Sequence, residues 1–134
     1  HNPMTTQHDL TGPALSVRGR FWINIEGVSR LGKGKIELLE KIRDEGTLLK
    51  AAAELKIPYR QAWSKVQSMN KLQDYPVVVL RHGGKDRGSA RVTEFGNNLI
   101  NAFRIIESNL EKFLEDQASI LEFPREETPE DQGR

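Results

Sequence analysis

The chain has 134 residues, 37% hydrophobic and 29% charged, and no cysteine. That length suits one domain with a long helix or tail. The lack of cysteine excludes disulfides and thiolate metal sites, and no apolar run approaches the roughly 18 residues needed to span a membrane. No signal-peptide pattern opens the sequence, so a cytoplasmic location is expected. The net charge of +1 hides a split. Residues 1–93 carry 16 Lys+Arg against 9 Asp+Glu, a balance of +7, and residues 94–134 carry 4 against 10, a balance of −6. A polyanion is attracted to the first part and repelled by the last.

Residues 1–14 mix Thr, Gln, Pro and Gly without periodicity and read as a disordered N-terminus. Over 15–26 apolar and polar residues alternate, with Leu15, Val17, Phe21, Ile23 and Ile25 on one side, which predicts a half-buried strand whose polar face is broken by Trp22. Residues 27–34, with three glycines, read as a loop. A helix is predicted over 35–45, its stripe formed by Ile36, Leu39 and Ile42, ended by Gly46 as a left-handed cap. Thr47 caps a small alanine-rich helix running to about Lys56. Pro58 suits the first turn of the next helix, which is expected to reach about Gln73.

Residues 77–81 and 90–93 read as two strands joined by the glycine-rich run Gly83-Gly84-Lys85-Asp86-Arg87-Gly88, a hairpin longer than a two-residue turn. Thr93 caps a long helix over 94–121. Phe103, Ile106, Leu110 and Phe113 recur at 3-4-3 spacing, with Leu99 widening the stripe, as in a coiled-coil seam. Such a helix exceeds what a domain this small can cover alone, so a second copy is the expected cover; the alternative is a helix packed back on its own domain. The acidic residues 123–134 read as a disordered tail.

The chemistry gathers at the helix opened by Pro58. Ala62, Val66, Met69 and Trp63 form an apolar stripe that holds it in place. Tyr59, Arg60, Gln61, Ser64, Lys65, Ser68 and Lys71 fall elsewhere around it. Two short helices and a tight turn, with a basic, hydroxyl-bearing second helix, form the shape that enters a DNA major groove. Arg60 and Gln61 have the donors and acceptors for paired contacts to guanine and adenine, and Lys65, Lys71 and the hydroxyls suit phosphates. A hairpin directly after such a unit is a wing, here carrying Arg81, His82, Lys85, Arg87 and Arg91, while Lys33, Lys35 and Lys50 add charge earlier. A solvated basic face would explain the helix alone; the helix and wing together favour DNA.

One run competes. Gly27-Val28-Ser29-Arg30-Leu31-Gly32-Lys33-Gly34 approaches the phosphate-cradling G-x-x-x-x-G-K-[ST], but Gly34 stands where the metal-binding hydroxyl belongs, and no later apolar strand ends in an Asp. No His or Cys cluster has metal-ligand spacing, and no Ser is joined to a base. No enzyme activity, metal or cofactor is expected.

Between Ile36 and about Phe113 the chain resembles the N-terminal DNA-binding domain of ModE-type molybdenum-dependent transcriptional regulators. The residues that carry the likeness are Ala51-Ala52, Ile57-Pro58-Tyr59-Arg60-Gln61-Ala62-Trp63, Met69-Asn70, Gly83-Gly84-Lys85 and Val92-Thr93-Glu94-Phe95-Gly96-Asn97-Asn98-Leu99-Ile100. The Thr93–Gly96 part is shared more widely with LysR-like helix-turn-helix proteins. Pro58 departs from the family, which usually has a small hydroxyl residue there. The resemblance implies a winged helix that dimerises through helices and binds a palindromic operator. In full-length members a separate C-terminal domain of small β-barrels binds molybdate; the residues after the long helix leave no room for one, so no molybdate site is expected in this chain.

The resulting expectation is a mainly α fold with a small β component: a winged helix-turn-helix over 15–93, followed by a long dimerisation helix over 94–122. Its partners are double-stranded DNA and a second copy, with no membrane. The competing reading, from another class, is a winged-helix protein-interaction module without sequence-specific DNA binding.

Overall fold

The computed structural model describes residues 12–81 and 88–126. In chain order these form β1 (Ile23–Ile25), β2 (Ser29–Leu31), α1 (Lys33–Glu45), α2 (Leu48–Glu54), α3 (Tyr59–Met69), β3 (Val78–Leu80), β4 (Ala90–Val92) and α4 (Glu94–Gln117), with a final 3₁₀ turn at Ala118–Leu121. The fold is mainly α, with two small antiparallel hairpins. No helix among the described residues is long and apolar enough to cross a membrane.

The first hairpin was not expected. Only Ile23–Ile25 of the alternating run at 15–26 is strand, and its partner Ser29–Leu31 lies in what read as loop, paired as Ile23↔Leu31, Asn24↔Arg30 and Ile25↔Ser29. Across the turn, the Val28 N–H donates to the Ile25 carbonyl at 2.9 Å, and both central residues, Glu26 and Gly27, have positive φ (50° and 70°). Backbones of that hand match the twist of a hairpin. Residues 15–22 are not strand; Leu15 is exposed, and Trp22 is exposed with the Arg30 guanidinium 3.6 Å from its ring centre.

The α1–α2 junction follows the expected chemistry. Gly46 is left-handed (φ 77°) and returns its N–H to Ile42, and the Thr47 hydroxyl accepts from the Lys50 N–H at 3.1 Å. The α2–α3 turn is built differently. Lys56 takes φ 57°, the Ile57 N–H donates to the Ala52 carbonyl and the Lys56 N–H to Ala53. This is the paired-bond helix ending that glycine usually serves, here with lysine. Pro58 is the N-cap of α3 and its carbonyl accepts the Ala62 N–H.

α3 stops at Met69, short of the expected Gln73, because Asn70 leaves the helix for β3. Its side chain accepts from the Val77 and Val78 N–H groups (2.7 and 3.2 Å) and donates to the Val78 carbonyl (2.8 Å). β3 and β4 pair as Val78↔Val92, Val79↔Arg91 and Leu80↔Ala90. Thr93 caps α4 as expected: its hydroxyl accepts from the Gly96 N–H at 3.0 Å while donating to the Pro76 carbonyl at 2.7 Å.

The chain divides into two compact units. The larger, Phe21–Glu107, encloses the core, in which Leu31, Ile36, Leu39, Ile42, Ala51, Ala62, Val66, Val77 and Phe103 are buried. Phe103 stacks on Phe21 with ring centres 4.4 Å apart. In the smaller unit, to which the described residues 12–20 and 108–126 belong, the backbone at Gly19 lies against Leu110 and Leu114.

Candidate nucleic-acid interface

α3 is anchored by one stripe and presents the rest. Ala62, Val66 and Met69 are buried, as their 4-3 spacing predicts. Tyr59, Arg60, Gln61 and Ser64 are exposed on the first two turns, and Lys65 is half-buried. Trp63 corrects the expected stripe: it is 42% exposed and stands outside the buried core. Arg60, Gln61, Ser64 and Lys65, with Pro58, line one open hollow along the helix. The first half of α3 therefore offers a guanidinium, an amide, a hydroxyl and an ammonium together, a set that can pair with base edges and phosphate oxygens.

The remaining residues proposed from sequence are placed less uniformly. Ser68 is half-buried and its hydroxyl donates to the Lys65 carbonyl at 2.8 Å, so its proton is engaged within the helix. Lys71 is exposed just beyond the helix end. Arg91 is exposed on β4, opposite Val79, and Arg81 is exposed after β3, its N–H held by the Ser89 carbonyl. Lys85 and Arg87, together with His82, lie outside the described residues.

Charge is unevenly neutralised over this surface. The Lys35 ammonium is pushed below its ordinary value, first by burial and then by the positive charges of Lys65, Lys71 and Arg30. Lys33, by contrast, has a carboxylate partner: Glu107 lies 4.0 Å from its ammonium. The glycine run ending at Lys33-Gly34 thus closes an antiparallel hairpin and opens α1, with Gly32 as the N-cap. Arg30 was missed by sequence reasoning, because the hairpin that presents it was missed; the one available signal was the glycine of the Glu26-Gly27 pair.

Of the seam residues expected to meet a second copy, Phe103 is enclosed in the larger unit at 2% exposure, which corrects its place in that seam. Leu99 is partly buried against the same core. Leu110 is half-buried, while Ile106 (44%) and Phe113 (55%) are exposed.

No family model matches the chain. Its sequence is similar to the molybdenum-pterin-binding protein MopA of Rhodobacter capsulatus, 42% identical over 88 residues, which is 66% of this chain and 33% of that protein. It is also similar to the molybdenum transport protein ModE of Azotobacter vinelandii, 32% identical over 96 residues (72% of this chain, 36% of that one). The DNA-binding transcriptional dual regulator ModE of Escherichia coli K12 is 32% identical over 72 residues, 54% of this chain and 28% of its own. Over the matched region the chain is homologous to ModE regulators and Mop proteins. The resemblance carried by Ile57–Trp63, Met69-Asn70 and Thr93–Gly96 is borne out by these matches. The chain spans about a third of the length of the ModE and Mop relatives it matches.

Proposed function

We propose that the chain is a ModE-type transcriptional regulator whose DNA-binding part is a winged helix-turn-helix. α2 and α3 are the helix pair, and the β3–β4 hairpin is the wing. The observation that carries the reading is the exposed first half of α3: Tyr59, Arg60, Gln61 and Ser64 stand free while Ala62, Val66 and Met69 anchor the helix from behind. In the major groove, Arg60 would bond guanine O6 and N7, and Gln61 adenine N6 and N7. Lys65 and Lys71 would hold phosphates, with Ser68 an acceptor at most. Arg81 and Arg91, with Lys85 and Arg87 between them, would follow the flanking backbone. Two copies would associate through the exposed apolar residues of α4, and the regulator would act in the cytoplasm. The relatives' remaining two thirds, and any molybdenum chemistry in them, are not assigned to this chain.

The test is duplex binding measured across salt concentrations, with the preferred sequence selected from a random pool. Affinity falls linearly in log–log with salt, at about 0.9 per phosphate contacted. Absence of salt-sensitive binding to any duplex overturns the reading. A second reading has an observation of its own: Tyr59 and Trp63 are exposed aromatic rings one turn apart on α3, of the residue types that anchor protein–protein interfaces. The double substitution Arg60→Ala/Lys65→Ala separates the two, since it abolishes operator selection in a DNA reader and spares a bound partner in an interaction module.

A further inference from the structure

The β1–β2 hairpin creates a second basic recess. An open hollow of about 250 Å³ is lined by Asn24, Ser29 and Arg30 of the hairpin, Lys35 of α1, and Ser68 and Lys71 at the end of α3. The Lys35 ammonium is held over it by donating to the Arg30 carbonyl at 2.9 Å, which leaves two of its three protons for another acceptor. Lys65 does not line the hollow but stands near its Lys35: its ammonium lies 3.9 Å from where a Cβ on the preceding residue, Gly34, would stand. Among the described residues, none of Arg30, Lys35, Lys65 and Lys71 reaches a carboxylate at ion-pair distance, whereas Lys33, Arg43 and Arg104 each do. Like charges gathered without a counter-charge repel one another and favour an anion among them.

We propose that this recess is a phosphate site, and that its occupant is a backbone phosphate of the duplex that α3 reads. The assignment of the occupant rests on the DNA reading of α3. Continuity along that helix supports it. Ser64 and Lys65 line the first hollow, and Ser68, one turn after Ser64, lines this one with Lys71 beyond it. A strand tracking the helix from Arg60 towards Lys71 therefore meets Arg30 and Lys35 next. Such a contact fixes register and adds affinity without reading bases. The hairpin would thus serve as a clamp on the backbone beside the groove that α3 enters.

The experiment uses the full chain, with Lys35→Gln and Arg30→Gln compared with Lys35→Arg. Folding is checked by thermal unfolding, and Arg30→Gln decides if Lys35→Gln fails to fold. Each Gln variant is expected to lower the log–log salt slope by about 0.9, an affinity loss of about eightfold at 0.1 M salt. The loss should be the same on the selected duplex and on an unrelated one, with Lys35→Arg restoring it. A wild-type chain without salt-sensitive duplex binding overturns the reading of α3 itself. Normal wild-type binding with unchanged slope in the Gln variants, and no saturable phosphate binding by the free chain, overturns the recess alone. Inorganic phosphate titrated into the free chain supplies the other arm: saturable binding lost in Lys35→Gln, beside an unchanged duplex slope, makes this a free-anion site and removes the duplex assignment.

Discussion

Asn70 shows how much one side chain decides. It satisfies the N–H of Val77, just before β3, and the N–H and carbonyl of Val78, while its own N–H closes the last turn of α3 on Val66. Asn70→Ala leaves three partly buried backbone groups without partners, and a loss of about 1–3 kcal/mol in denaturant unfolding is expected; a loss within error would mean that water replaces the amide. Gly96 is a second fixed point. A Cβ there would stand 2.5 Å from the Val77 carbonyl oxygen and 2.7 Å from a Val92 methyl, so Gly96→Ala must push α4 off the hairpin. The expected cost is about 1–3 kcal/mol, and an unchanged melting temperature would contradict the close approach. Both residues belong to the segments that carried the family resemblance, so part of that resemblance is structural. At this scale sequence reading went far with α3, because Ala62, Val66 and Met69 fall on one stripe. It failed at Trp63, about 100° around the helix from Ala62. There, at the edge of the stripe, periodicity cannot say which way a large ring turns. Arg60→Ala follows from the presented face. It is expected to relax base preference at one operator position by about 1–3 kcal/mol, read as loss of a preferred base in pool selection; an identical preference would remove Arg60 from base contact.

Between elements, a network of ion pairs joins α1 to α4, with the Lys33–Glu107 contact at its edge. The Arg104 guanidinium donates to both oxygens of Glu40, at 3.0 and 2.7 Å, and to Glu107 at 2.8 Å. Those bonds pull the Glu40 carboxyl below its ordinary range, against the opposing effect of burial. A carboxyl with a lowered folded pKa lends stability above its unfolded value and loses it as pH falls through the folded one. The pair is partly exposed, so its contribution is about 0.5–1 kcal/mol. Arg104→Met should therefore cost that much at pH 7 and progressively less as the pH falls below about 4. A cost that stayed constant with pH would assign the loss to packing. Elements were legible where their punctuation was local. Gly46 and Thr47 mark the α1–α2 junction and Thr93 marks the start of α4, each by a bond within three or four residues. They were illegible where the usual residue is absent or the partner is distant. Lys56 takes a glycine's place at the end of α2, the first hairpin turns on Glu26-Gly27 rather than Asn-Gly, and α3 ends early because Asn70 bonds backbone seven and eight residues on.

For the whole molecule, charge and apolar exposure on α4 bear on assembly. The last 41 residues, which include α4, carry a balance of −6, which sets them against a DNA surface, while Ile106 and Phe113 on that helix remain exposed. Phe103 cannot join them, being enclosed against Phe21, so the sequence-based seam shortens to its later members. If two copies pair through these residues, each duplex carries two α3 helices, and half-sites should repeat at one helical turn, about 34–36 Å, or a multiple of it. Ile106→Glu/Phe113→Glu places two charges in that contact without touching the core. Sedimentation is expected to show a dimer for the wild type and a monomer for the variant, with thermal stability of the folded chain retained. On a duplex with two half-sites, the variant should lose the spacing preference and roughly half the salt slope, because each binding event then contacts half the phosphates. Binding to a single half-site should be unchanged. A variant that stays dimeric would move the interface away from this face of α4, and a wild type that is monomeric at the concentrations used for binding would remove the two-fold operator altogether.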